Sequence, residues 1–310
     1  MKKYTFLTIV IVSFWMGASA AMADTKATVL VTIKPLAMLV KGVVGDELTV
    51  QQLLPGNISP HDYALKFSDV RAINEAALVV WVGPELESAF SKPLTGNGKE
   101  VLTLMNLPGL IWPVISQAEE EEHGEHDAMH DHHSHPAHDR DPHLWLNPVN
   151  GQMVAHAVAE RLAELFPDKK GAFDENLSRF SKEIEALDGR ARSALTPLRE
   201  RGFVVTHDGY GHFVQHYGLK QLASAQVVAG RQQGAKHVAE MLALGEQVQC
   251  VFTEVQLNNK TAEQLARKLG VKTSELDPIG RDVQSDENSY LTFMENLITA
   301  FTQGLTGSGE

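Results

Sequence analysis

The sequence predicts an α/β protein of two lobes, each a mostly parallel sheet flanked by helices, joined by one long rigid helix. Short β-branched apolar runs alternate with helical patterns over residues 27–104, and the alternation restarts at residue 202. Between these halves, residues 174–198 keep apolar side chains at helical spacing for far longer than the average helix of about 11 residues. A chain of 310 residues is also long enough for two domains.

The first half contains three helical patterns set between four strand patterns. Pro35 suits the first turn of a helix, and Gly42 and Gly45 indicate where that helix ends. Ser68 is placed to cap the next helix. The predicted strands are residues 27–33, 48–54, 78–82 and 100–104, and the predicted helices are residues 35–44, 69–77 and 85–91.

The second half repeats this alternation after two helices in the middle of the chain. The middle helices cover residues 150–166 and 174–198, and the second of them is the predicted connector between the lobes. The strands that follow are residues 202–206, 222–228, 248–255 and 271–276, and the helices are residues 237–244, 261–269 and 290–303.

These elements define the expected domain boundaries. Residues 1–23 are expected to be a signal peptide and residues 24–168 the first lobe, which carries a disordered insert rich in His and acidic residues at 117–140. Residues 169–200 form the connecting helix, and residues 201–310 form the second lobe.

The N-terminus has the pattern of a secretory signal. Lys2 and Lys3 precede an apolar stretch of 11 residues, Phe6 to Met16. Small-residue cleavage sites follow at residues 18–20 and 21–23. The apolar stretch is too short for a membrane-spanning helix, which needs about 20 residues. We therefore expect a mature protein that is exported to the periplasm.

Charge and cysteine content exclude several classes of protein. The formal net charge of −12 argues against nucleic acid and anionic membranes as partners. Cys250 is the single cysteine, so the chain has neither an internal disulfide nor a cysteine-based zinc finger. Cys250 is expected to be a small buried residue on a strand.

The insert is the most unusual segment of the sequence. It carries seven of the 14 histidines among many carboxylates, a composition that suits weak binding of divalent transition metals. These accessory candidates are His123, His126, His130, His132, His133, His135 and His138.

A stronger candidate site lies outside the insert. In open α/β sheets, ligands bind beyond the carboxyl ends of the strands, and His61, His207 and Asp277 each follow a predicted strand. His143 closes the insert and begins an ordered segment. Three imidazoles and one carboxylate oxygen would make a tetrahedral site suited to zinc.

Parts of the sequence are also compatible with two other functions. His212 and His216 have the spacing of a zinc protease pair, but Phe213 stands where that motif requires Glu. The sequence also has no nucleophile elbow or phosphate loop, which weighs against a secreted zinc hydrolase. The other alternative is a zinc buffer in which the insert does all the binding.

Four segments resemble a known family. They are PHDY at 60–63, DPHLWLNP at 141–148, VTHDGY at 205–210 and LDPIG at 276–280. Together with the insert, they resemble the zinc-specific periplasmic solute-binding proteins of metal ABC transporters, the ZnuA group. The resemblance extends over residues 27–303 and implies two α/β lobes joined by one helix.

The resemblance also implies a function and a set of ligands. His61, His143 and His207 match the three zinc-binding histidines of the family, and Asp277 matches the carboxylate that completes the site in many members. Zn²⁺ would be the transported cargo, captured between the lobes and delivered to an ABC membrane permease. The insert would scavenge or sense zinc, a periplasmic zinc chaperone is a candidate further partner, and the protein would act as a monomer.

Three positions bear on how far the resemblance extends. Some relatives have an acidic residue just before the first histidine, where this chain has Pro60. Others have a disulfide in the second lobe, which the lone Cys250 rules out here. Manganese-binding members, the alternative within the family, place a carboxylate at the position of His207. Imidazole there favours zinc.

Overall fold

A computed structural model of the protein describes residues 26–56, 60–95, 98–114, 140–226 and 234–306. The expected signal peptide and the seven histidines of the insert lie outside these residues. Among the helices of the described ranges, none is long and apolar enough to cross a membrane.

The first lobe is built on a four-stranded parallel sheet with the order β2-β1-β3-β4. Its two inner strands are apolar and fully buried over most of their length, which suits strands covered on both faces. The strands are β1 (Thr28–Val31), β2 (Thr49–Gln52), β3 (Leu78–Trp81) and β4 (Val101–Thr103), and the helices are α1 (Lys34–Val44), α2 (Phe67–Glu75) and α3 (Ser91–Leu94).

Two long helices follow, α4 (Pro148–Leu165) and α5 (Lys170–Leu195). At about 1.5 Å per residue, the 26 residues of α5 extend for about 39 Å. The last three residues of the predicted helix instead form a 3-10 turn, Thr196–Leu198. The apolar face of α5 packs against α1, α4 and α9, as its periodicity predicts.

The second lobe has the same topology, with a parallel sheet of order β6-β5-β7-β8. In each sheet the second strand lies on one side of the first strand, and the third and fourth strands lie on the other side. Such a switch point opens a crevice at the carboxyl ends of the strands. The strands are β5 (Gly202–His207), β6 (Lys220–Gln226), β7 (Val248–Glu254) and β8 (Lys272–Leu276), and the helices are α6 (Gly211–Tyr217), α7 (Ala235–Ala243), α8 (Lys260–Leu269) and α9 (Ser289–Leu305). The predicted fold class is confirmed.

One hydrophobic core runs through both lobes. The cluster of buried side chains that contains β1 and β3 continues through α1, α4, α5 and α9 into β5 and β7. A second, smaller cluster lies beneath α7 and α8 on the other face of the second sheet. The two lobes therefore share packing along the connecting helices, in addition to being joined by the chain.

The predicted cap of α2 is wrong. The helix begins at Phe67, so Ser68 lies inside its first turn. Asp69 takes over part of the capping, because its carboxylate accepts a hydrogen bond from the backbone N–H of Lys66 (2.8 Å) and another from the hydroxyl of Tyr63 (2.8 Å). The hydroxyl of Ser68 donates to the same carboxylate (3.3 Å).

Candidate metal site

Three of the four predicted ligands meet in the crevice between the lobes. His61, His143 and His207 each offer one ring nitrogen, and these atoms lie within 4.8 Å of one another. The ring centroids are separated by 5.6 Å (His61–His143), 5.7 Å (His61–His207) and 5.0 Å (His143–His207). Three convergent imidazoles form the ligand set of a typical zinc site.

The space between the rings is small. They line a cavity of about 20 Å³ together with Pro60, Trp145, Glu254, Gln256, Leu257, Pro278 and Ile279. A cavity of this size has room for one water molecule or ion. It is too small for an organic substrate, whose pockets are about 300 Å³ or more.

Each histidine comes from a different kind of element. His61 lies in the 3-10 turn Pro60–Asp62 that follows β2, and it is partly exposed. His207 is the last residue of β5, which places it at the carboxyl edge of the second sheet. His143 immediately precedes the turn Leu144–Leu146, and both it and His207 are only 5 % exposed.

Two of the rings have a carboxylate behind them. Nδ1 of His143 lies 2.7 Å from Oδ1 of Asp141, and Nδ1 of His207 lies 3.3 Å from Oε1 of Glu254. The backbone N–H of His143 also donates to Asp141 (2.9 Å). A carboxylate that engages Nδ1 leaves Nε2 as the nitrogen available to a metal.

The same contacts change the acidity of these groups. Burial by itself would raise the pKa of Asp141, but the charge and hydrogen bonds of His143, with a contribution from His212, lower it to about 2. Burial would lower the pKa of His207, yet the hydrogen bonding and charge of Glu254 raise it above the usual 6.5. Asp141 is therefore ionised at any pH at which the protein would bind metal.

The segment that carries His143 is hydrogen-bonded to the second lobe. Nε2 of His212, on α6, donates to the backbone carbonyl of Asp141 (2.9 Å). The indole N–H of Trp145 donates to the carbonyl of Pro278 (2.8 Å), and the Tyr290 hydroxyl donates to the carbonyl of Trp145 (2.8 Å). His143 thus lies between two anchored residues and cannot shift independently of the second lobe.

Asp277, the fourth predicted ligand, lies outside the cluster of three histidines. It follows β8 as expected, but its carboxylate accepts hydrogen bonds from the backbone N–H groups of Ile279 (3.2 Å), Gly280 (2.9 Å) and Arg281 (2.6 Å). The loop after Pro278 turns back over the carboxylate, and its backbone N–H groups donate to both carboxylate oxygens. Asp277 therefore stabilises its own turn, which sequence position alone does not reveal.

His212 and His216, which have the spacing of a zinc protease pair, contact other parts of the protein. His212 is buried, and its Nδ1 accepts a hydrogen bond from Asn150 (3.3 Å) on α4. His216 contacts Asp188 (2.8 Å) on α5. The two histidines therefore face different partners, one on α4 and one on α5.

Asp141 and Glu254 were not predicted as site residues. Glu254 ends β7 just as His207 ends β5, so the strand-end rule that selected His207 applies equally to Glu254. It was missed because a glutamate after an apolar strand is common, and only the pairing of β5 with β7 brings it to His207.

Comparison with known proteins gives a consistent family. A family model described as zinc-uptake complex component A, periplasmic, matches residues 29–304. The high-affinity zinc uptake system protein ZnuA of Yersinia pestis is 33 % identical over 292 residues, covering 90 % of this chain and 91 % of its own. The protein of the same name from Haemophilus ducreyi is 34 % identical over 318 residues, covering 99 % and 100 %.

Solved structures agree on the fold. A crystal structure of ZnuA superposes with a TM-score of 0.75 at 25 % identity and covers 91 % of this chain and 100 % of its own. The periplasmic zinc-binding protein TroA of Treponema pallidum has the same fold, with a TM-score of 0.76 at 21 % identity over 90 % of this chain and 99 % of its own. The family model and the ZnuA relatives cover nearly the whole chain, and the chain therefore belongs to the ZnuA family of periplasmic zinc-uptake components.

Proposed function

We propose that the protein binds one zinc ion between its two lobes and delivers it to the membrane permease of an ABC-type zinc uptake system. The observation that carries the proposal is the convergence of His61, His143 and His207 on a cavity with room for a single ion. Two relatives that match nearly the whole chain are named as high-affinity zinc uptake proteins.

Zinc is the cation that this ligand set suits best. Zn²⁺ is commonly bound by imidazole nitrogen in four-coordinate sites, whereas manganese and magnesium favour carboxylate and carbonyl oxygen. With three histidines as ligands and Asp277 engaged by its own loop, the fourth position is left for water or another small ligand. We therefore propose His61, His143 and His207 as the protein ligands.

The remaining parts of the proposal concern location and partners. The leader at residues 1–23 would export the chain to the periplasm, where it would act as a monomer between a zinc chaperone and the permease. The seven histidines of the insert would bind further zinc ions weakly and supply the central site. The proposed lobe boundaries at residues 168 and 200 lie just outside α5 and the 3-10 turn that follows it, which together cover residues 170–198.

We infer that the protein is not an enzyme. A hydrolase needs substrate access to a metal-bound water, and the cavity between the three rings has room only for an ion or a water molecule. The hydrolase alternative predicts turnover of ester, peptide or phosphate substrates by the zinc-loaded protein that is abolished by His143→Ala. No such turnover is expected.

The central prediction is tested by titrating the metal-free protein with zinc in the presence of a competing chelator. We expect one tight site, and His143→Ala should weaken it by more than the roughly 100-fold that loss of an outer partner of a ligand can cost. The control is His156→Ala on the exposed face of α4, which should leave the affinity unchanged.

A variant that lacks residues 119–139 separates the insert from the site. We expect it to keep the tight site and lose only weak ones. If the deletion abolished tight binding while His143→Ala preserved it, the zinc-buffer alternative would replace the proposal.

A further inference from the structure

The buried carboxylate of Glu254 has no role in the proposed ligand set, although it lies against one of the ligands. Val205 of β5 is paired with Phe252 of β7, so two residues further on His207 and Glu254 end neighbouring strands. Their side chains point to the same side of the sheet because successive residues alternate. Glu254 is 1 % exposed, and its Oε1 lies 3.3 Å from Nδ1 of His207.

The surroundings hold Glu254 firmly. Oε2 accepts a hydrogen bond from the side-chain amide of Gln256 (2.7 Å). The backbone N–H of Glu254 donates to Oδ1 of Asn259 (3.0 Å), and Nδ2 of Asn259 donates to the backbone carbonyl of Glu254 (2.8 Å). Oδ1 of Asn259 also accepts from the hydroxyl of Thr206, the neighbour of His207 (3.0 Å). The ends of β5 and β7 are thereby tied together through one asparagine.

Oε1 of Glu254 differs from Oε2. It is buried, its contact with Nδ1 of His207 is long at 3.3 Å, and the buried hydroxyl of Tyr210 interacts with the same carboxylate. A buried carboxylate oxygen is costly unless a positive or hydrogen-bonding group compensates it. The ring of His207 is placed to do so, and a cation bound to the far nitrogen of that ring would compensate it further.

The carboxylates behind the rings can balance the charge of a bound zinc ion. A Zn²⁺ ion held by three neutral imidazoles would leave two positive charges in a largely buried site, and uncompensated buried charge is expensive. Asp141 and Glu254 supply two negative charges, one behind His143 and one behind His207. The two carboxylates behind the rings would match the charge of the ion without a carboxylate in contact with the metal.

We propose that Glu254 is a positioning residue for zinc capture, which fixes the ring of His207 with Nε2 toward the metal and, together with Asp141, balances the charge of the bound ion. This inference rests on the proposed function. It also explains why Asp277 can cap its own loop, since the charge that a fourth carboxylate ligand would bring is already present behind the rings.

The test compares the zinc affinities of variants by chelator competition at pH 7.5. Glu254→Gln keeps the shape and an acceptor oxygen but removes the charge, and we expect affinity to fall by about 10–100-fold. The control is Glu275→Gln, which removes the same charge from the exposed neighbouring position on β8. It should change affinity by less than about twofold, because exposed charges are screened. Glu254→Asp retains the charge and should lose less affinity than Glu254→Gln.

Two results would overturn the inference: a Glu254→Gln affinity equal to that of Glu275→Gln, or a Glu254→Asp affinity no better than that of Glu254→Gln. The wild-type protein provides a second readout that does not depend on how a variant folds. Nitrogen NMR shifts of metal-free His207 at pH 8.5 should report the tautomer with the proton on Nδ1, and the opposite tautomer would refute the positioning role. Failure of the wild-type protein itself to bind zinc would instead refute the proposed function.

Discussion

At the scale of single residues, the three site histidines have the same chemistry but different surroundings. His143 and His207 are nearly buried and each contacts a carboxylate through Nδ1, whereas His61 lies on a short turn and is partly exposed. Burial and charge therefore hold two of the three proposed ligands in place before a metal binds. Preorganised ligands lose less conformational freedom on binding, which favours tight capture.

Zinc affinity should depend on pH in a direction set by His207. A protonated imidazole cannot bind zinc, and Glu254 raises the pKa of His207 above 6.5, so protons compete with zinc at a higher pH than for an ordinary histidine. We expect affinity to fall at least about tenfold between pH 8 and pH 6. Chelator competition at several pH values measures this, and an affinity that stays flat from pH 8 to pH 5 would contradict a histidine site.

His207 should affect the metal-free protein in the opposite sense. Because its pKa in the folded state is raised, His207 contributes stability that is fully present below pH 6.5 and is lost as the pH rises through the higher folded value. The stability that His207 contributes to the folded protein thus declines over the pH range in which zinc binding improves. Asp141, with a pKa of about 2, stays charged throughout.

At the scale of elements, close packing fixes how α1 meets the long helix α5. A Cβ atom added to Gly42 of α1 would lie 2.8 Å from ring carbons of Phe180 on α5. The ring is fully buried and has little room to move. Gly42 was predicted to mark the end of α1, but it lies inside this helix. Its lack of a side chain permits α1 and α5 to approach each other closely.

Gly42→Ala should destabilise the protein by about 1–3 kcal/mol, because a methyl group is forced into a filled interface. Chemical denaturation of the metal-free protein measures the change. Gly189→Ala, on an exposed position of α5 where a Cβ meets nothing within 4 Å, is the matched control. It should stabilise by up to about 1 kcal/mol, since alanine is the better helix former. Equal effects of the two substitutions would show that packing at Gly42 is unimportant.

At the scale of the whole molecule, the shared core limits how the lobes can move. Buried side chains continue from the first sheet through α1, α4, α5 and α9 into the second. Trp145 and Pro278 add a hydrogen bond beside the metal site (2.8 Å). A large hinge opening would break this packing, so we expect capture and release to involve small local shifts around the three rings.

The shared core also predicts that both lobes unfold together. Calorimetry of the metal-free protein should show one transition whose calorimetric and van't Hoff enthalpies agree. Saturating zinc should raise its midpoint, because a ligand that binds the folded state stabilises it by mass action. Two separate transitions in the metal-free protein would contradict a common core. They would not bear on the metal site, which the zinc titrations test independently.

The sequence by itself predicted the strands of both lobes in order, the fold class and the three histidines that meet between the lobes, but not the short helix α6. Apolar periodicity is a local property, and the rule that ligands follow parallel strands needs only the ends of the strands. The tertiary structure alone decided which carboxylates lie against the three histidines. Asp277 and Glu254 both end strands of the second sheet, but one carboxylate turns to the N–H groups of its own loop and the other faces His207. That choice depends on which strands are neighbours and on where nearby donors lie, and both are set only when distant parts of the chain pack together.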